Sequence, residues 1–463
     1  MSGSPRPSPT LIISELPSKT LVGIDLFSFT STPNFYGVKD LPEGSHFLYT
    51  GATESFSLRC GEWLVVRNNG DIGNPRQLSH EIDIGIRLRK WDKAVENIVP
   101  LDENNDLGRQ EAMKIRANLG VIWASGGLLS YQSQLNKERN QIRDDGDGRR
   151  FHSTEHSPSR IDWQELSCYI TPMVLNRILG EADFSNPHVE ARWTISSGSS
   201  AAKDADHIPG LSKIDTANTI GIASEHGKEL MFLPIDLKRT WREGAIGRER
   251  TEAAQDRSWA LGDIIRHVSS ISQLSYADKD TTGEEQLLGE LQFTFLMVLT
   301  LMNFSCMEQW KRLLSLVLTC RSAITEREPF FVEVLQLLRL QMRHFDDVEG
   351  GLFEMDGDDS GILLRKLLTT FKQSVKDIQS GYGTKVKEEL ACMEAWVNSQ
   401  YGWELSRDSI VRRGLVELED GEQIEMELNG AEAEDETGEY APVIVELEEG
   451  SEESSKPDMD MQM

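Results

Sequence analysis

The sequence is poor in cysteine, in basic charge and in long apolar runs, and each shortage excludes something. Five cysteines occur in 463 residues (Cys60, Cys168, Cys306, Cys320 and Cys392), an odd number with no Cys-x-x-Cys spacing. That scatter fits free thiols in a reducing compartment rather than a disulfide framework. Cys306 and Cys320 sit in apolar stretches and are expected to be buried, inert thiols. Basic residues number 48 against 76 acidic ones, for a net charge of −28. Phosphate polyanions and anionic membranes call for basic surface that this total does not supply broadly. The most apolar window, 291–302, is interrupted by Gln292, Thr294 and Thr300 and falls short of the ~20 residues that cross a bilayer. The opening MSGSPRPSPT lacks the apolar core of a secretory signal. A soluble intracellular protein is expected.

What is present is unevenly spread. Residues 414–463 hold 18 acidic side chains and one basic one, Lys456, so most of the negative charge lies in a tail. A chain of this length predicts two or three folded units. A β-rich N-terminal domain is expected over 10–195; from 10 to about 89 short apolar runs separated by Pro, Gly, Asn and Ser read as strands, among them 11–13, 46–49 and 62–66. Ile82, Ile84, Ile86 and Leu88 alternate with polar residues, as in a half-buried strand. Residues 113–119 and 163–178 read as helices, and the polar stretch 143–160 as a mobile insertion. The break at 196–228 reads as a flexible linker. Helical periodicity then runs through 251–268, 284–301, 306–321, 329–345, 361–378 and 384–399, giving an all-α domain over 229–405. In 329–345 the set Phe331, Val334, Leu335, Leu338 and Met342 marks the core face, with Pro329 in the first turn. The acidic tail, 406–463, carries a hairpin signal around Asp420-Gly421 and a β-branched segment at 441–447. The architecture predicted is α+β and multidomain: a β-rich N-terminal domain, an all-α domain, and an acidic tail with a docking strand.

Catalytic and metal motifs are weak. Asp356-Gly357-Asp358-Asp359-Ser360-Gly361 is similar to the start of a calcium loop, but Leu367 stands where the closing glutamate belongs. Those residue types also suit a helix N-terminus, the expected reading here. His80-Glu81 begins a zinc-helix motif that Ile84 fails to complete, and Gly227-Lys228 lacks both flanks of a phosphate loop. Trp310-Lys311-Arg312 could stack nucleic acid, yet a tryptophan on the apolar face of a helix with a basic rim is the reading favoured. The nine histidines are dispersed and read as surface or satisfied core residues. No catalytic residue, cofactor site or metal site is assigned.

Three stretches resemble one family. They are Gly23-Ile24-Asp25-Leu26-Phe27-Ser28-Phe29 with Phe35-Tyr36-Gly37 and Leu41-Pro42-Glu43-Gly44-Ser45-His46-Phe47; Leu288-Gly289-Glu290-Leu291-Gln292-Phe293 with Trp310-Lys311-Arg312; and Ala441-Pro442-Val443-Ile444-Val445-Glu446-Leu447. Order and content are similar to the AAR-two (a1-cistron) splicing factors, assembly chaperones of the U5 snRNP. The resemblance implies a helical domain of VHS-like type, and binding to the RNase H-like and Jab/MPN domains of the scaffold protein Prp-eight. It implies that this engagement holds off the helicase Brr-two and RNA in the cytoplasm before nuclear use, with phosphorylation promoting release. It further implies that Pro442, Val443, Ile444, Val445, Glu446 and Leu447 add to the partner as a β-strand. Strand addition works through main-chain hydrogen bonds, with alternate side chains giving specificity. Pro442, which has no N–H, would mark where pairing begins. The chain is expected to be a non-enzyme, monomeric alone, with no direct nucleic-acid contact. Two rivals are kept: a metal-dependent hydrolase in the β-rich half, and an acidic histone-type chaperone acting through the tail.

Overall fold

The computed structural model describes residues 8–52, 58–66, 85–131, 160–180, 192–202, 204, 229–274, 283–345, 359–379, 382–405, 411–417 and 423–429. The chain divides into two units: Met1–Ile235 with Thr240–Leu405, and Asp236–Arg239 with Ser406–Met463.

The first unit opens with strands β1 (Thr10–Ser14), β2 (Leu21–Ile24), β3 (Phe27–Thr30), β4 (Gly37–Lys39), β5 (Gly44–Gly51), β6 (Arg59–Val66), β7 (Ile86–Asp92) and β8 (Asn97–Pro100). Helices α1 (Asp106–Ala117) and α2 (Leu119–Ala124) and strand β9 (Leu128–Ser130) follow. Next come α3 (Arg160–Ser167), α4 (Pro172–Leu179) and β10 (Trp193–Ser196). Two five-stranded sheets result, ordered β8-β7-β1-β4-β9 and β10-β6-β5-β2-β3. The first is mixed, since β1 runs parallel to β7 and antiparallel to β4. The second is antiparallel throughout.

Period two explains how the layers are stacked. Leu11 and Ile13 join Val22, Ile24, Leu48 and Leu64 in a core between the two sheets. The intervening Ile12 points the other way, onto Leu88, Ala112 and Ile115 beneath α1. On the far face of the second sheet, Trp63 meets Phe47, Trp163 and Phe293, with ring centroids 5.0, 5.9 and 6.1 Å away. Phe293 belongs to the helical half.

That half comprises α5 (Arg248–Gln255), α6 (Ser258–Leu274), α7 (Gly283–Leu301), α8 (Phe304–Val317), α9 (Ala323–Glu326), α10 (Glu328–Met342), α11 (Asp359–Lys376) and α12 (Thr384–Tyr401). Helix α7 is buried on nearly every face. A helix buried all round lies at a centre, and α7 packs on the β-led half through one side and on the other helices through the rest.

Several elements differ in extent from the sequence expectation, each for a local reason. Helix α1 begins seven residues before 113, because Asn105 caps it by accepting from the Gly108 N–H at 2.6 Å. The expected helix 163–178 is two helices, broken where Thr171 caps α4 and Pro172 enters its first turn. Residues 251–268 likewise split at Asp256. Its carboxylate accepts from the N–H groups of Ser258, Arg321 and Ser322, tying the break to the turn before α9. The helix expected from Gly361 starts at Asp359.

The expected linker starts inside the body. Ser196 ends β10, Ser199 is 1% exposed, and the buried Asp204 carboxylate takes two hydrogen bonds from Arg312, at 2.6 and 3.2 Å. Serine and alanine suggested a flexible head to this segment. Instead Asn303, the N-cap of α8, donates to the carbonyls of Ser196 and Ser199 at 2.9 and 2.8 Å. Residues 205–228 lie outside the described residues.

In the second unit the hairpin is present. Strands β11 (Val411–Glu417) and β12 (Gln423–Asn429) pair antiparallel, with Leu415 opposite Glu425 and Val416 opposite Ile424. Asp420 and Gly421 are outside the described residues.

Candidate functional site

The most catalytic-looking cluster sits in the second sheet. Asp25 follows β2 with a left-handed φ of 57°. Its Oδ2 lies 2.6 Å from His46 Nδ1 and 2.6 Å from the donating Tyr131 hydroxyl, and its Oδ1 accepts from the Phe47 N–H at 2.8 Å. All three side chains are almost fully buried. His46 Nε2 in turn lies 2.8 Å from the Pro42 carbonyl. A carbonyl only accepts, so Nε2 must donate; the carboxylate makes the same demand of Nδ1. The imidazolium form is the one that satisfies both nitrogens against an ionised Asp25. Burial works against that charge, but the Asp25 carboxylate and the two hydrogen bonds outweigh it, and the pKa of His46 is raised. A general base needs a free lone pair facing a substrate. This histidine has both nitrogens committed to the protein, so the cluster acts as a staple joining β2, β5 and Tyr131.

A second polar cluster follows the same logic. Glu62, 3% exposed, lies between Arg89, at 2.6 Å, and Arg192. Burial would raise its carboxyl pKa, but the two guanidinium groups prevail and lower it. Arg59 Nη1 reaches across to the Thr300 carbonyl of α7 at 3.0 Å.

The third cluster is where the two halves of the first unit meet. Glu290 of α7 is fully buried and accepts from Arg177 of α4, from the Leu233 N–H and, at 2.8 Å, from Gln309 Nε2. Gln292 uses both ends of its amide: Nε2 donates to the Glu165 carbonyl at 2.7 Å and Oε1 accepts from the Tyr169 N–H at 2.8 Å. Beside Glu290, Gly289 lets α7 approach the corner between α3 and α4. A Cβ there would stand 2.4 Å from the Tyr169 carbonyl oxygen and 2.7 Å from Val174 Cγ2. The Tyr169 hydroxyl donates to Glu333 of α10 at 2.5 Å. The second family-like stretch is therefore an internal seam.

The residues singled out in the sequence fare differently. Pro442, Val443, Ile444, Val445, Glu446 and Leu447 lie outside the described residues, as do His80, Glu81, Gly227 and Lys228. Trp310 is 2% exposed and its Nε1 donates to Gln341 at 3.0 Å, the core role expected. Lys311 pairs with Glu308, and Arg312 with Asp204. Cys306 and Cys320 are buried. Burial pushes the Cys320 thiol up to about 12, and Cys306 well above its ordinary value. Among the described residues, no three His, Cys, Asp or Glu side chains are grouped to hold a metal ion. No described helix is long and apolar enough to cross a membrane. Sequence reasoning did not assign Asp25, His46, Glu62 or Glu290. Asp25 and His46 stand 21 residues apart, a separation no local motif reports, although both fall in the first family-like stretch.

A β-sheet half, a helical half and three inward-facing polar clusters at their core define an α+β protein in which the recognisable residues hold the body together. Two family descriptions match: AAR2 N-terminal domain over residues 7–180 and AAR2 C-terminal repeat region over 232–406. The chain belongs to the AAR2 family, and that membership makes it a splicing-related factor. It is similar to Protein AAR2 homolog of Homo sapiens and of Macaca fascicularis, 22% identical to each over 452 residues, which is 96% of this chain and 94% of either relative. The Mus musculus Protein AAR2 homolog is 23% identical over 348 residues, covering 72% of this chain and 75% of that protein.

Proposed function

We propose that the protein is a non-enzymatic assembly chaperone of the U5 snRNP. It binds the RNase H-like and Jab/MPN domains of a Prp-eight-type scaffold and keeps a Brr-two-type helicase and RNA away until assembly is complete. The observation that carries this reading is the match to both AAR2 domains, in order, along one chain. The polar clusters support it from the other side, because the residues that resemble catalytic groups are spent on holding β2, β5 and α7 in place. The tail supplies the second handle. Residues 441–447 join the partner as a strand, and the surrounding acidic residues keep that β-branched segment soluble until the partner's sheet arrives. Binding in the cytoplasm and release by phosphorylation on the way to the nucleus follow from the same reading.

The test is a pull-down of the two partner domains together. Deleting residues 441–447 abolishes their joint capture, whereas an undiminished ternary complex removes strand addition from the mechanism. Neutralising the acidic residues of 432–439 while sparing 443–447 leaves capture intact; loss of capture there would favour a polyanion chaperone.

A further inference from the structure

The hairpin β11–β12 is a sheet of two strands, seven residues each, and no third strand pairs with it among the described residues. A hairpin alone in water is marginally stable at best; a third strand or a packed face is needed. Its register shows what is missing. Val416 stands opposite Ile424, Gly414 opposite Met426 and Arg412 opposite Leu428. Period two therefore places Ile424, Met426 and Leu428 on one face of β12, and Gln423, Glu425 and Glu427 on the other. That apolar face needs cover. The outer edge of β12, where alternate N–H and C=O groups point away from β11, needs a strand.

The same unit, which runs from Ser406 to Met463 in this part of the chain, holds one segment that answers both needs. Past β12, residues 430–440 and 448–463 contain no valine or isoleucine, whereas 441–447 reads Ala-Pro-Val-Ile-Val-Glu-Leu. Val443, Val445 and Leu447 fall at the same two-residue spacing as Ile424, Met426 and Leu428. Eleven residues, 430–440, separate this segment from β12. They suffice for an antiparallel return, and strands consecutive in sequence usually lie side by side. A tether that short also gives the segment a millimolar effective concentration at the β12 edge. One register sets Val443 opposite Met426 and Val445 opposite Ile424. It also places Ile444 opposite Glu425 and Glu446 opposite Gln423, so no two glutamates face each other directly. Charge still opposes the pairing, because residues 423–447 carry eight acidic side chains and no basic one. The contact is therefore one that a competing sheet can undo.

We propose that in the protein alone residues 441–447 pair antiparallel with the outer edge of β12, as the third strand of the tail's own sheet. The hairpin thereby withholds the docking segment until a partner's sheet competes for it. The docking role rests on the function proposed above; the pairing with β12 does not. Apparent affinity for the partner is lowered by the fraction of tails left unpaired.

Hydrogen exchange of the full-length protein without partner, read by mass on peptides across 423–429 and 441–447, tests the pairing. Amides of 443–447 exchange about tenfold more slowly than in protein carrying Ile424→Asn and Met426→Asn, one factor of ten in equilibrium constant. Deleting 441–447 speeds exchange in β12, an arm that holds even if the double variant loses the hairpin. Added salt deepens the protection, since screening weakens the repulsion among the acids. Equal exchange of 443–447 in native and variant protein overturns the proposal, as does a β12 indifferent to the deletion. Protection that falls with salt also overturns it, marking an ionic contact with a basic surface instead. The two readings fail separately. A segment that exchanges freely yet captures the partner domains removes only the pairing; a protected segment that captures nothing removes only the docking role.

Discussion

The two halves of the folded body solve the same problem with different means. The β-led half satisfies two buried acids among its own residues, Asp25 with His46 and Tyr131 and Glu62 with Arg89 and Arg192, although Arg59 of β6 reaches the Thr300 carbonyl of α7. The helical half has its buried acid, Glu290, paired to a residue of the other half, Arg177. Around α10 it relies on apolar packing, with Phe331, Val334, Leu335, Leu338 and Met342 all buried. The difference teaches where a substitution will be felt. A polar change at Asp25 or Glu62 is a local fault, and one at Glu290 is a fault shared by both halves.

The largest expected effect follows from removing the shared acid. Glu290→Leu strips the carboxylate from Arg177, the Leu233 N–H and Gln309, leaving Arg177 only its longer bonds to Gln286 and Gln309 its bond to the Leu233 carbonyl. Removing one member of a buried pair costs about 3–5 kcal/mol; the lower end is expected because Arg177 keeps some exposure. The denaturant midpoint measures it. A loss below about 1 kcal/mol would mean the seam is wet and the comparison false. Gly289→Ala comes next. Its methyl group meets backbone and Val174 at distances that force a shift, for which overpacking predicts about 1–3 kcal/mol by the same measurement.

The His46 staple gives a smaller, pH-dependent effect. Its folded pKa is raised above the ordinary 6.5, so the folded state binds the proton more tightly than the unfolded chain does. The stabilisation is therefore complete below about pH 6.5 and fades as pH rises through the folded pKa. Arg87 opposes the proton, while Asp25 and the Pro42 carbonyl favour it. Unfolding free energy measured from pH 6 upward should decline in the native protein, and Asp25→Asn should flatten that decline. An unchanged slope in the variant would remove Asp25 as its cause. The smallest effect is expected at the exposed Arg248–Glu252 pair of α5. Arg248→Ala should move the midpoint by less than about 0.5 kcal/mol.

Much of the scaffold was legible because it rests on periodicity. The apolar set of α10 and the alternation that carries Ile86 and Leu88 into β7 specify faces without help from the rest of the chain. Boundaries were less legible, since they depend on single caps such as Asn105, Thr171 and Asp256. A cap's partner is chosen only when the chain has folded. The head of the expected linker misled for the same reason: Ser196 and Ser199 look like solvent-seeking residues until Asn303, more than a hundred positions away, claims their carbonyls. The polar clusters were hidden by distance along the chain. Nothing local in Asp25 announces His46, and nothing in Gln292 announces Tyr169. What the sequence did hold was the company of some of them, since Asp25, His46, Glu290 and Gln292 fall in stretches that resemble the AAR2 family.

The α7 seam makes one body of the two halves. Hydrogen exchange on the Glu290→Leu protein under mild denaturant tests it most directly. Amides of β5 and β6 should lose protection together with those of α10. Lost protection in α10 with β5 and β6 unchanged would contradict it.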